Sequence, residues 1–137
     1  MQSKLNPYLS FKDTTRDAME FYHSVFGGTL EMSSFEENGM QQFPGEGHKI
    51  MHAMLEAENG ITFMAADTPD VMGFDAGKSI RMSLSGDNHA ELSAYFEKLA
   101  EGGTVDEPLV EAPWGDTFGM LTDKFGIGWM VNITKVV

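Results

Sequence analysis

The sequence predicts an α+β fold made of two βαβββ modules, and an internal repeat is the main reason for this prediction. Residues 27–30 read Gly-Gly-Thr-Leu, and residues 102–105 read Gly-Gly-Thr-Val. In both copies a helical pattern precedes the glycine pair and a strand-like run follows it. Such self-similarity indicates duplicated supersecondary units. Two copies are too few for a solenoid, so we expect two half-domains packed about a pseudo-two-fold axis, with a ligand at the seam.

The first module is predicted within residues 1–67 in the order β-α-β-β-β. Residues 14–17 resemble a capping box, with Thr14 at the cap, and they begin a helix that Gly27 ends. Asn59-Gly60 is typical of a tight hairpin between the last two strands. Alternating or apolar runs predict the strands at 5–11, 29–35, 49–56 and 61–66.

The second module is predicted within residues 79–137 and repeats that order after a linker at 68–78. Residues 88–91 form a second capping box, and Gly102 ends the second helix. The strands are predicted at 79–85, 104–110, 116–122 and 128–133. Strand-rich modules with one helix each indicate a single α+β domain, in which helices lie outside a cupped mixed sheet.

Composition restricts the possible functions. The chain has 137 residues and a formal net charge of −12 at pH 7, which disfavours binding to nucleic-acid phosphates and suits a cationic ligand. The same charge also keeps a protein soluble. There is no Cys, so disulfide and thiol chemistry are excluded. No signal peptide or membrane span is evident, and we expect a cytoplasmic protein with no membrane partner.

Several stretches resemble the vicinal oxygen chelate superfamily of glyoxalases, bleomycin-resistance proteins and dioxygenases. They most resemble its PhnB-like, or demethylubiquinone methyltransferase-like, branch. The stretches are NPYLSF at 6–11, AMEFY at 18–22, FGG at 26–28, MHA at 51–53, PWGDTFG at 113–119, TDKFG at 122–126 and WMVN at 129–132. The resemblance implies the doubled βαβββ fold and a homodimer. It implies no particular reaction, because the superfamily hosts unrelated chemistries.

By the same resemblance, metalloenzymes of the superfamily take ligands from the first and fourth strands of each module. The matching residues here are Asn6, Met64, Arg81 and Met130. Amide, thioether and guanidinium groups do not replace the imidazole and carboxylate ligands of Zn, Ni, Mn or Fe. We therefore predict no metal site and no cofactor.

Histidines offer an alternative metal site. His48 and His52 would share one face of a strand, but about 13 Å apart at about 3.3 Å per residue, which is too far for one ion. His52 could still ligate a metal with Glu56 or Asp116. The competing interpretation is a neutral imidazole that is hydrogen-bonded within a cavity.

The predicted ligand-binding residues are Tyr8, His52, Arg81, Trp114, Asp116 and Phe118. The predicted cavity lining is Asn6, Met64, Met120 and Met130. Arg81 either anchors an anionic group of a ligand or forms a structural ion pair with Asp116 or Glu111. Trp114 either stacks on a ligand or closes a core edge, and Asp116 either accepts a hydrogen bond or proton or makes a turn. The apolar residues suit either a pocket or plain core.

The leading hypothesis is a PhnB-like protein that binds a small organic molecule in the sheet cavity without the superfamily's metal. A metal-dependent lyase, isomerase or dioxygenase is one alternative, and a drug-sequestering resistance protein is another. No residue is assigned as catalytic, and the sequence leaves open whether the chain is an enzyme. Methyl transfer has no support, because no Gly-rich loop for S-adenosylmethionine is present.

Overall fold

Two four-stranded mixed sheets, each with one helix, make up the computed structural model, which describes residues 5–40, 43–77 and 79–135. The chain divides into two units, residues 1–76 and 77–137. Each unit has the element order βαβββ, so the α+β class and the two predicted modules are confirmed. Among the described residues, no helix is long and apolar enough to cross a membrane.

Module one contains one helix and four strands in the sheet order β1-β4-β3-β2. Strand β1 pairs with β4 in parallel, and the other neighbours are antiparallel. The elements are β1 (Tyr8–Phe11), α1 (Thr15–Phe26), β2 (Thr29–Ser34), β3 (Ile50–Glu56) and β4 (Thr62–Asp67). The predicted hairpin between β3 and β4 forms, and both Asn59 and Gly60 take positive φ there.

Module two repeats this topology with the sheet order β5-β8-β7-β6. Strand β5 is parallel to β8, and the other pairs are antiparallel. The elements are β5 (Met82–Gly86), α2 (His89–Ala100), β6 (Thr104–Glu111), β7 (Thr117–Thr122) and β8 (Gly128–Ile133). Strand β6 is irregular, and its register shifts between Val105 and Glu107 and again before Val110.

Each helix covers one face of its own sheet and leaves the other face open. In module one the rings of Tyr22 and Phe26 contact the ring of Phe63, so Phe63 points toward α1. In module two a Cβ placed on Gly119 would meet the ring of Phe96, so Gly119 points toward α2. Because side chains alternate along a strand, the neighbours of these residues point away from the helix. We call that second surface of each sheet its open face.

The start of α1 differs from the prediction. The side chain of Thr14 makes no cap hydrogen bond, and the first helical N–H, that of Thr15, donates instead to Oδ1 of Asp67 at 3.1 Å. The other Asp67 oxygen accepts from the N–H of Ile50 at 2.9 Å. A buried carboxylate at the end of β4 therefore caps the helix and fixes the start of β3. The predicted cap of α2 is confirmed, because Asn88 accepts from the N–H of Glu91.

The first strand of each module is shorter than predicted. Strand β1 begins at Tyr8 rather than at residue 5, and β5 begins at Met82 rather than at residue 79. Proline has no N–H for a ladder, and at Pro7 only the carbonyl is used, accepting from the N–H of Met64 at 2.9 Å. Ile80 remains 83% exposed.

One end of module one is held together by a buried ammonium group. Lys49 is 5% exposed and lies within 3.1 Å of three carboxylates, those of Asp13, Glu46 and Asp70. These acids come from three different connections, so one side chain joins the loops beyond β1, β2 and β4. The hydrogen bond to Glu46, followed by those to Asp13 and Asp70, raises the pKa of Lys49 above its usual value despite its burial. Lys49 therefore stays charged.

The repeated glycine pairs lie where each helix returns to its sheet. Gly27 takes φ of +72° with open space beside it, whereas a Cβ on Gly28 would overlap the carbonyl of Glu56 at the end of β3. A Cβ on Gly103 would overlap the carbonyl of Thr122 at the end of β7. In both pairs the first glycine has a positive φ, and the second allows close approach to a neighbouring strand.

We predict that Gly28→Ala destabilises the protein more than Gly27→Ala. A left-handed φ costs about 1–2 kcal/mol at either position, and overlap with backbone adds about 1–3 kcal/mol at Gly28 alone. The free energy of unfolding from urea denaturation measures both variants. Equal losses at the two positions would show that strand approach does not constrain Gly28.

Candidate functional site

A row of four side chains crosses the open face of module one. Tyr8 pairs with Met64 in the parallel ladder, Met64 pairs with Met54, and Met54 pairs with Glu31. Directly paired residues lie on the same face, and Met64 follows Phe63, which faces the helix. Both methionines are partly exposed. The centre of the open face therefore presents two adjacent thioethers between a phenol and a carboxylate.

Module two carries the equivalent row. Ser83 pairs with Met130, Met130 pairs with Met120, and Met120 pairs with Glu107. The two methionines are again partly exposed. The repeat seen in the glycine motif thus extends to chemistry, because each open face has a methionine pair with a glutamate on the outer strand.

The next row along each sheet differs between the modules. In module one it contains Ser10, paired with Ala66, and His52, paired with Ser33. In module two Phe118 lies between Val110 and Asn132. His52 is two residues before Met54, and Phe118 is two residues before Met120, so imidazole and phenyl hold equivalent places.

Arg81 forms an ion pair, but not with the acids expected from the sequence. Its Nη2 lies 3.3 Å from Oδ2 of Asp106, rather than beside Asp116 or Glu111. Its Nη1 donates to the carbonyls of Leu121 and Trp129 at 3.1 and 3.4 Å. Asp106 is the extra residue of the first irregularity in β6, and it also accepts from the Thr122 hydroxyl at 2.8 Å. The geometry favours the structural alternative for Arg81.

Asp116 ties together the end of the second sheet. Its Oδ2 accepts from Nδ2 of Asn132 at 3.1 Å, and its Oδ1 accepts from the N–H of Lys135 at 3.1 Å. These two hydrogen bonds, that of Asn132 above all, lower the pKa of Asp116. A carboxylate with a lowered pKa is a weaker proton acceptor. Its place in the structure therefore supports the turn-making role over the role of a base.

Trp114 and Phe118 form an aromatic pair at the hairpin between β6 and β7. Their ring centroids are 6.2 Å apart with an interplanar angle of 61°. Trp114 is 65% exposed, so it does not close a core edge. Its ring is available at the border of the open face, where Phe118 leads to the methionine pair.

The four residues that match metal ligands of the superfamily are not paired with one another across the strands. Met64 lies beside Tyr8 rather than Asn6, and Met130 lies beside Ser83 rather than Arg81. Across residues 5–40, 43–77 and 79–135, no three His, Asp or Glu side chains converge to hold a metal. His52 and Glu56 are four residues apart on one strand, about 13 Å at the usual rise. The residues that are present do not fit a Zn, Ni, Mn or Fe centre.

One cavity lies beside a predicted ligand-binding residue, Asp116. It has a volume of about 280 Å³, lies at the end of the second sheet, and is lined by both chain neighbours of Asp116, Gly115 and Thr117, and by the titratable residues Asp87, His89, Glu111 and Lys135. A second cavity, of about 420 Å³, is lined by the loop between β2 and β3 near Phe43 and His48, away from the predicted ligand-binding residues. The other predicted ligand-binding residues lie on or beside the open faces.

Sequence analysis missed three participants on the open faces. Met54, Glu31 and Glu107 complete the two rows. Met54 could have been found from strand alternation, because it lies two residues from His52. Glu107 could not, because the irregularity at Asp106 changes the register of β6.

The chain is similar to one family and to several proteins along nearly its whole length. The family described as 3-demethylubiquinone-9 3-methyltransferase matches residues 3–132. Protein YjdN of Escherichia coli K12 is 28% identical over 96% of this chain and 95% of its own. The crystal structure of protein PA1353 from Pseudomonas aeruginosa is 39% identical, with a TM-score of 0.86 over 98% of this chain and 100% of that one. The putative 3-demethylubiquinone-9 3-methyltransferase, PhnB protein, from Bacillus cereus is 29% identical, with a TM-score of 0.77 over 96% and 100%.

We predict that Asn132→Ala raises the pKa of Asp116, because its amide is the main group that stabilises the carboxylate. Lys135→Ala should leave the pKa nearly unchanged, since Lys135 contributes its backbone N–H. NMR titration of the Asp116 carboxyl carbon measures both. A lowered folded-state pKa means that the ionised carboxylate stabilises the fold at neutral pH, and that this contribution is lost as the pH falls below the usual range for Asp. Equal effects of the two variants would contradict this assignment.

Proposed function

From the premise that the chain belongs to the 3-demethylubiquinone-9 3-methyltransferase family, the PhnB-like branch of the vicinal oxygen chelate superfamily, we propose that it binds a small organic molecule. The molecule would lie on the open face of a sheet, and binding would not use the divalent metal of the superfamily's metalloenzymes.

The observation that carries this proposal is the methionine pair at the centre of each open face. Methionine is flexible and polarisable, so it adapts to irregular apolar ligands and makes favourable contacts with aromatic rings. Small-molecule sites are lined mostly by apolar side chains with a few polar groups among them. Tyr8 and His52 would supply the polar groups in module one.

In module two the aromatic pair extends the same apolar surface. Phe118 adjoins the row that contains Met120, and Trp114 borders it with an exposed ring. A planar ligand would contact Met120, Met130 and Phe118 and stack against Trp114. The net charge of −12 favours a neutral or cationic ligand over an anion. Asp106 neutralises Arg81, which also disfavours an anionic ligand.

The family's description names a methyltransferase, but the described residues of this chain do not support methyl transfer. Methyl transfer requires a site for a methyl donor, and the family resemblance does not by itself assign a reaction. The metal-dependent alternative requires ligands that the matched positions lack. Binding without a divalent metal is therefore the function that the described residues support best.

We predict that the purified protein holds much less than one equivalent of Zn, Ni, Mn or Fe after expression in supplemented medium. Elemental analysis by mass spectrometry measures this directly. One equivalent of such a metal, retained through dialysis and lost on substitution of His52, would overturn the metal-free proposal and favour the metalloenzyme alternative.

We further predict that aromatic compounds raise the thermal midpoint of the protein. Within one series, the cationic member should raise it most, the neutral member less and the anionic member least. Met120→Ala and Met130→Ala should reduce the effect, whereas Ile80→Ala, at an exposed residue before β5, serves as the control. The fluorescence of Trp114 provides a second readout, because this ring is exposed beside the proposed site. The other tryptophan, Trp129, is buried and should respond little to a ligand on the open face. An equal response of all three variants would place the ligand elsewhere.

We also propose that the chain acts as a cytoplasmic homodimer. Val71 and Met72 are 80% and 68% exposed, and apolar side chains of this kind favour a protein partner. Sedimentation velocity should show a dimer, and Val71→Asp should shift it toward monomer while Ala90→Asp, on the exposed start of α2, does not. A wild-type protein that is monomeric at all concentrations would contradict the proposal.

A further inference from the structure

We propose that His52, Met54 and Met64 form a binding site for a soft monovalent cation, Cu(I) or Ag(I), on the open face of module one. The proposal goes beyond small-molecule binding and rests on different chemistry. Thioethers are poor ligands for Zn or Mn but are ligands that Cu(I) selects, and imidazole also suits copper. The features that exclude the superfamily's metal therefore favour a soft ion.

The strand register brings the three donors within reach of one ion. Met54 and Met64 are directly paired on antiparallel strands, where Cβ atoms lie about 4.5–5.5 Å apart. His52 precedes Met54 by two residues on the same face, about 6.6 Å along the strand, and it is diagonal to Met64 at about 7–8 Å. Two flexible thioether side chains and one imidazole can meet above the centre of such a triangle.

The side chains around this triangle also suit a cation. Glu31 is paired with Met54, so a carboxylate lies at the border and offsets positive charge. Tyr8 is paired with Met64 and is 54% exposed, so its ring can approach a bound cation through its π-face. Within the described part of the chain the His52 imidazole makes no hydrogen bond, and a ring nitrogen is free to coordinate.

Module two provides a natural comparison within the same molecule. It has the equivalent methionine pair, Met120 and Met130, and the equivalent glutamate, Glu107. At the position of His52 it has Phe118, which supplies no donor. If the imidazole is required, module two should bind Cu(I) or Ag(I) much more weakly than module one, although both have two thioethers.

The test is a titration of the full chain with Cu(I) under anaerobic, reducing conditions against a chromophoric Cu(I) chelator, and with Ag(I) by calorimetry. We expect one tightly bound ion per chain. His52→Ala, Met54→Leu and Met64→Leu should each weaken binding at least about tenfold, since even groups behind a ligand typically contribute 10- to 100-fold. Methionine and leucine are close in volume, so the leucine variants should remain folded. Circular dichroism confirms the fold of each variant.

Met120→Leu, Met130→Leu and Met40→Leu, the last in the loop between β2 and β3, are the matched controls, and each should change the affinity by less than about twofold. Three results would overturn the proposal. The first two are no binding beyond that of free methionine at the same concentration, and binding that all six variants leave equally unaffected. Stoichiometric binding that Met120→Leu weakens as much as Met54→Leu would also overturn it, since His52 would then have no special role. The titration measures only the binding of the metal ion, so its failure leaves the thermal-shift result on small molecules standing.

Discussion

Close approach of backbone to backbone at the second glycine of each repeated pair is the constraint on which both modules depend. Gly28 lies against the carbonyl of Glu56, and Gly103 lies against that of Thr122. At these points the chain leaves the helix and enters the outer strand, so the contact fixes where β2 starts beside β3 and β6 beside β7. That register decides which side chains become neighbours, and it brings Glu31 to Met54. In module one, a residue without a side chain thus helps to decide which side chain of β2 lies beside Met54.

The same architecture separates stability from surface chemistry. Helix-facing residues such as Phe63 and Trp129 are buried, and two buried charged side chains, Lys49 and Asp67, make their contacts at the ends of the first sheet. Lys49 holds three acids, and Asp67 caps α1 while it anchors β3. With these contacts confined to the helix side and the ends of the sheet, the open-face methionines do not have to stabilise a core. Their partial exposure is what the proposed binding of a small molecule requires.

The local parts of the fold could be predicted from sequence, and the long-range parts could not. Period-two and helical patterns identified every strand and both helices, and Asn88 was found as a cap because its partner, Glu91, is three residues away. The true cap of α1, Asp67, is distant in sequence, and a plausible Thr14 concealed it. The partner of Arg81 was missed because an extra residue in β6 turns Asp106 toward it.

Part of the candidate site could also be predicted. Alternation alone assigns five of its residues to strand faces: Met64, Met120, Met130, His52 and Phe118. Their neighbours across strands required the register.

Duplication allows the two open faces to diverge while the fold stays constant. Each has a methionine pair and a glutamate, at positions that take no part in the helix–sheet packing. The faces differ beside the pair, where module one has Tyr8 and His52 and module two has Ser83 and Phe118. A thioether pair contacts apolar molecules through dispersion and soft cations through sulfur lone pairs. In the two proposed sites, an imidazole beside the pair therefore favours coordination and a phenyl ring favours stacking.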